Sequence, residues 1–151
     1  MAKLTKWVLV LGLAQAGATP LVADDKVAAS ASAPPAASCM SIEALKTYAA
    51  DENGFILNNF SVREAKDAQS AMTQLEVAYS IANRSDQPVR MSADFVFQNE
   101  GGEILAAMTA NPDAWQVDPS VTAVGRGRSF VVLGTLAHVK KACLRIFGTL
   151  P

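Results

Sequence analysis

Histidine occurs once in this sequence, at His138, and cysteine twice, at Cys39 and Cys143. That scarcity removes most of the usual catalytic machinery. A hydrolytic triad needs a nucleophile, a base and an orienting acid. His138 could pair with Ser129 and an aspartate, but no serine carries the glycine pattern of a nucleophile elbow. One histidine and two cysteines also leave few soft metal ligands. Met72, Met91 and Met108 would suit copper, yet Met91 falls in the apolar phase of its segment, where core packing is the expected job. The acidic pairs, Asp51-Glu52 and Glu100 with Glu103, fall in turn-like regions and read as solvated polar turns. No catalytic residue, metal ligand or cofactor is expected.

An excess of positive charge is missing too. Thirteen Lys and Arg stand against 14 Asp and Glu, a net charge of -1. That is not the balance of a nucleic-acid binder. The charge is uneven, however. Asp118 is the last acidic residue, and Arg126, Arg128, Lys140, Lys141 and Arg145 follow it. Antiparallel folds interleave distant strands, so this basic part either sits beside acidic neighbours or presents a patch to an anionic partner.

No apolar run is long enough to span a bilayer. The longest near the start, Trp7 to Ala14, follows Lys3 and Lys6 and precedes small residues. This is the pattern of a secretory signal peptide. Cleavage after Ala23 is favoured, with Ala18 the alternative, so residues 1–23 are expected to be removed. The mature chain then has 11 basic against 14 acidic side chains and no transmembrane segment. Ala36-Ala37-Ser38-Cys39 loosely resembles a lipobox. Ala36 replaces the branched residue expected there, and Asp24, Asp25 and Lys26 separate Cys39 from the apolar run, which argues against a lipid anchor. Residues 24–38 read as a disordered linker of Ala, Ser and Pro. Residues 39–151 are the size of one domain. An exported chain meets an oxidising compartment, periplasmic or extracellular, so Cys39 and Cys143 are expected to form a disulfide. Closing so long a loop stabilises by roughly 4–5 kcal/mol in the chain-entropy model.

What the sequence does have is alternation. Leu75, Val77, Tyr79 and Ile81 fall on every second residue. After the polar segment Asn83 to Pro88, the beat returns in Val89, Met91, Ala93, Phe95 and Phe97. Period-2 alternation puts each set on one face of a sheet. The expectation is a long antiparallel hairpin over Met72 to Gln98. Ser41 to Asp51 reads as a short helix capped by Ser41, although a first strand fits the same residues. Phe55 to Ala65 reads as a strand with Ile56, Phe60 and Val62 on one parity, and Lys66 to Ser70 as a turn. Asn99 to Glu103 is a glycine turn, and Ile104 to Met108 a short strand. Val121 to Val124 is extended, Gly125 to Arg128 a turn, Phe130 to Leu136 an apolar strand, and Ala142 to Phe147 the final strand ending at Gly148. About seven strands with turn signals every 8–12 residues or so suggest an all-β antiparallel sandwich of two packed sheets.

Val77-x-Tyr79-x-Ile81-x-Asn83-x-Ser85-Asp86-x-Pro88-Val89, then Phe95-x-Phe97, Gly101-Gly102, and Gly127 before Phe130-Val131-Val132 resemble bacterial exported immunoglobulin-like or fibronectin type III-like domains. The similarity covers about Phe55 to Gly148 and lies in the pattern of strands and turns. It implies an immunoglobulin-like sandwich, and binding or assembly more often than catalysis. A protein partner would meet loops at one end, or a sheet edge. Arg126 and Arg128 are candidate contacts, because glycines beside Arg126 free the backbone and guanidinium forks grip anions. Trp115 is a candidate anchor. The rival functions are a structural subunit of an envelope or secretion complex, and a small exported enzyme or metal carrier.

Overall fold

The computed structural model of the chain describes residues 36–52 and 54–149. The expected leader, residues 1–23, and residues 24–35 of the expected linker lie outside them. Among the described residues no helix is long and apolar enough to cross a membrane. A strand, β1 (Ser38–Ser41), runs directly into a helix, α1 (Ile42–Thr47). Ser41 is extended, and its Oγ accepts the Ala44 N–H at 3.1 Å, which gives an otherwise orphaned donor a partner. The helix reading therefore holds over Ile42–Thr47, and Leu45 is its buried residue. Ala50–Glu52 then forms a short strand, β2.

Six longer strands follow: β3 (Phe55–Lys66), β4 (Thr73–Asn83), β5 (Arg90–Gln98), β6 (Ile104–Pro112), β7 (Thr122–Phe130) and β8 (Lys141–Thr149). Among the described residues these six and β1 and β2 make one antiparallel eight-stranded sheet, ordered β1-β8-β5-β6-β7-β4-β3-β2 and curled into a half-barrel. The strands thus share one continuous sheet instead of two separate ones. The cause lies in β6. Its first part, from Ile104 to Ala110, pairs with β5, while Asn111 and Pro112 pair with Arg126 and Gly125 of β7. One strand stitches both halves together.

The expected hairpin over Met72 to Gln98 is corrected in the same way. Both strands exist, but β4 pairs with β3 and β7, and β5 with β6 and β8. The chain arches across the core between them. Alternation fixes which face of a strand is buried, and two inward faces can meet across a core as well as side by side. Here they meet across it: Tyr79 and Phe95 have ring centroids 6.3 Å apart, and Phe60 lies 5.6 Å from Tyr79. Asn83 holds the arch. It is buried, its Nδ2 donates to the carbonyls of Gln87 and Val117, and its Oδ1 accepts from the N–H and Oγ of Ser85.

Three local expectations also change. Gly125 to Arg128 is the middle of β7, not a turn. The glycines are there for close approach. A Cβ on Gly125 would run into the Tyr79 ring, and one on Gly127 would lie 2.9 Å from Ala110 Cβ. Phe130 to Leu136 is not a strand beyond Phe130. Gly134 has a φ of 90° and a one-turn helix, α2 (Thr135–His138), follows it. Finally, β3 buries Phe55, Leu57 and Phe60, not one parity throughout. A bulge between Asn58 and Ser61, with Asn59 at a φ of 55°, sets two residues against Tyr79 and flips the phase.

Cys39 and Cys143 are register partners in β1 and β8 and form the expected disulfide. It ties the sheet's edge strand to its neighbour. Burial pushes the Tyr79 phenol well above its ordinary range, and its hydroxyl donates to the Ala110 carbonyl at 3.0 Å. That bond links β4 to β6 through the core.

Candidate functional site

Side chains that do not enter the core alternate onto the outer face. On β7 these are Val124, Arg126, Arg128 and Phe130. The register sets Arg128 beside Glu76 of β4, and Glu76 beside Arg63 of β3. Arg63 closes an ion pair on Glu76 at 2.7 Å, and Arg126 closes one on Asp113. Among the described residues Arg128 forms no ion pair. Ser61 and Ala78 lie between these long side chains and are short. The result is a depression of about 580 Å³ rimmed by Arg63, Arg126, Arg128, Glu76 and Asp113. Both ion pairs have an arginine more than half exposed, so each contributes about 0–1 kcal/mol.

Trp115 projects from the connection between β6 and β7 and is 79 % exposed. The Arg90 guanidinium lies 5.2 Å from its ring centroid, a cation–π contact that orients the indole. Trp115, Arg90, Ser92, Asn111, Pro112 and Phe147 surround a hollow of about 360 Å³. Asn111 of this hollow is the register partner of Arg126. The structure therefore brings Arg126 and Arg128 into one depression and sets Trp115 in the adjoining one, around the end of β6.

Sequence reasoning missed Arg63, Glu76, Arg90, Phe130 and Phe147 as members of this surface. Glu76 and Arg90 lie in the polar phase of strands already recognised, which was a usable signal. Arg63 follows the bulge, so its direction was not readable from parity. Phe130 was assigned to an apolar strand, yet it stands on the outer face 58 % exposed.

The other candidate chemistries fall apart in space. His138 ends α2, exposed, and makes no hydrogen bond with Ser129 among the described residues. Met91 and Met108 are core residues while Met72 is exposed at a strand's entry. Among the described residues no three His, Cys, Asp or Glu side chains gather as a metal-holding group. No protein-family model, curated protein or solved structure matches this chain.

Proposed function

We propose that this chain is an exported, non-catalytic binding or assembly module of the bacterial cell envelope, contacting a protein partner through Trp115, Arg126 and Arg128. The reading takes residues 1–23 as a cleaved leader and places the mature chain in the periplasm or outside the cell. It takes the curled sheet as a variant of the exported immunoglobulin-like or fibronectin type III-like architecture, with the two halves of the sheet acting as the sandwich layers.

One observation carries it. A tryptophan left mostly in solvent, oriented by an arginine, adjoins an arginine-rimmed depression. Trp and Arg dominate binding hot spots, because each supplies large contact area and strong directional bonds at one place.

Crosslinking in the native host, followed by pull-down of the tagged chain, tests this. Trp115→Ala and Arg126→Ala are expected to reduce partner capture severalfold while leaving the melting temperature within a few degrees. Undiminished capture by both variants would reject the surface.

A further inference from the structure

The outward side chains of β7 form a row, Phe130, Arg128, Arg126 and Val124, with the Trp115 hollow to one side of it across β6. Alternate residues of a strand lie about 6.8 Å apart. An extended peptide carries its own alternate side chains at the same spacing, so it can place one on each member of the row.

The ends of the row are apolar and the middle is cationic. Arg128 offers a guanidinium fork with no ion pair among the described residues. Forks of this kind take a carboxylate through two parallel N–H bonds. Arg126 and Arg63 hold their acids through exposed pairs that cost little to exchange. Glu76 and Asp113 leave the depression only modestly cationic, which suits a peptide carrying one or two carboxylates better than a densely charged polyanion. A second hollow, of about 660 Å³, shares Glu76 and Arg128 with the first and is lined also by Asp67 and Phe130. Gln74, the register partner of Phe130, lines it. Gln74 is 4 % exposed, and among the described residues its Oε1 has no hydrogen-bond partner.

We infer that the outer face of β7 binds an extended acidic peptide segment, with carboxylates on Arg128 and Arg126 and apolar side chains on Phe130 and Val124. This rests on the binding-module reading and names the chemistry of its partner.

The test is panning of a random dodecapeptide display library against the disulfide-bonded chain, with anionic phospholipid vesicles as a parallel probe. Enriched peptides are expected to carry Asp or Glu flanked, at alternate positions, by aromatic or aliphatic residues. The strongest synthetic peptide, followed by fluorescence anisotropy, should bind Arg128→Gln at least tenfold more weakly. Its affinity should also fall as salt rises. Arg128→Glu should abolish binding. Because that variant faces Glu76, the Gln variant decides if the Glu variant does not fold. No enrichment, enrichment without acidic residues, unchanged affinity in Arg128→Gln, or binding to vesicles in place of peptides would each overturn the inference. Host-cell capture that depends on Trp115 but not on Arg128 would overturn it too, while leaving the module reading standing.

Discussion

Asn83 makes four hydrogen bonds from one buried amide, two with Ser85 and one each with Gln87 and Val117. Asn83→Ala removes all four bonds, although the Val117 carbonyl keeps the Val89 N–H. The expected loss is about 1–3 kcal/mol, read as a fall in the urea midpoint. Gly125 is the second such residue. Gly125→Ala drives a methyl into the Tyr79 ring and should cost about 1–3 kcal/mol or more. Gly101→Ala meets nothing closer than Asn99 Oδ1 at 3.4 Å and should stay within about 0.5 kcal/mol of wild type. Equal effects of the two would remove close packing as the reason for Gly125. Asp67 is of another kind. Its carboxylate accepts from the Ser70 N–H, the Ser70 hydroxyl and the Gln69 N–H, and these bonds hold its pKa below the usual 3.8, with a smaller contribution from Arg128. The charged form is favoured by folding, so the gain is present above about pH 3.8 and is lost as pH falls through the lower folded value. The Asp67 side-chain carboxyl resonance should titrate below 3.8 in the folded chain, and Asp67→Asn should flatten that part of the acid limb.

At the level of elements, two connections decide how firmly the sheet is closed. The disulfide holds β1 on β8, and β1 is four residues long with a single strand neighbour among the described residues. Reduction should release β1 first. Hydrogen exchange is expected to accelerate at Ser38–Ser41 while β4 and β5 stay protected, with a global loss of about 2–5 kcal/mol. The connection from β7 to β8 is held by Glu64, whose carboxylate accepts the N–H groups of Gly134 at 3.1 Å and Leu136 at 2.8 Å. This contact explains why Phe130 to Leu136 misled sequence reasoning. An apolar run signals burial, yet here Glu64 and the positive φ of Gly134 turn the chain across the mouth and leave Val132 and Leu133 outside. Such a tether joins residues 70 apart and leaves no local pattern. Alternation was legible wherever a strand is regular, as in β4, β5 and β8. It failed at the β3 bulge, where one extra residue resets the phase. Of the candidate site, Trp115, Arg126 and Arg128 were legible as residue types. Their setting was not, because Gly125 and Gly127 read as turn formers when their role is to admit Tyr79 and Ala110.

At the scale of the whole molecule, four of the seven strand pairings join consecutive strands, and the other three, which close the sheet, join strands distant in sequence. β4 meets β7 rather than β5, β5 meets β8, and β1 meets β8 across 104 residues. A sequence can state that two strands each bury a face. It does not state which edges they share, because edge pairing is decided by how all the faces close together. This has a kinetic consequence. Loop-closure entropy must be met before such contacts give anything back, so chains built on distant pairings fold slowly. The oxidised chain should refold from urea in milliseconds to seconds, as β proteins of this kind do. The arch sharpens the prediction. If β4 and β5 zipped as a hairpin first, substitutions in both strands would slow folding while leaving unfolding nearly unchanged. In the observed topology β4 and β5 share no edge and meet only through the core, each being paired with a distant strand, β7 and β8. Conservative truncations such as Val77→Ala on β4 and a β7 change such as Ala123→Gly should then affect folding rates by similar fractions of their stability losses. Stopped-flow chevrons of those variants measure this directly. High values in β4 and β5 with near-zero values in β7 and β8 would mean that a local hairpin forms first after all, and the crossing arch would be a late rearrangement.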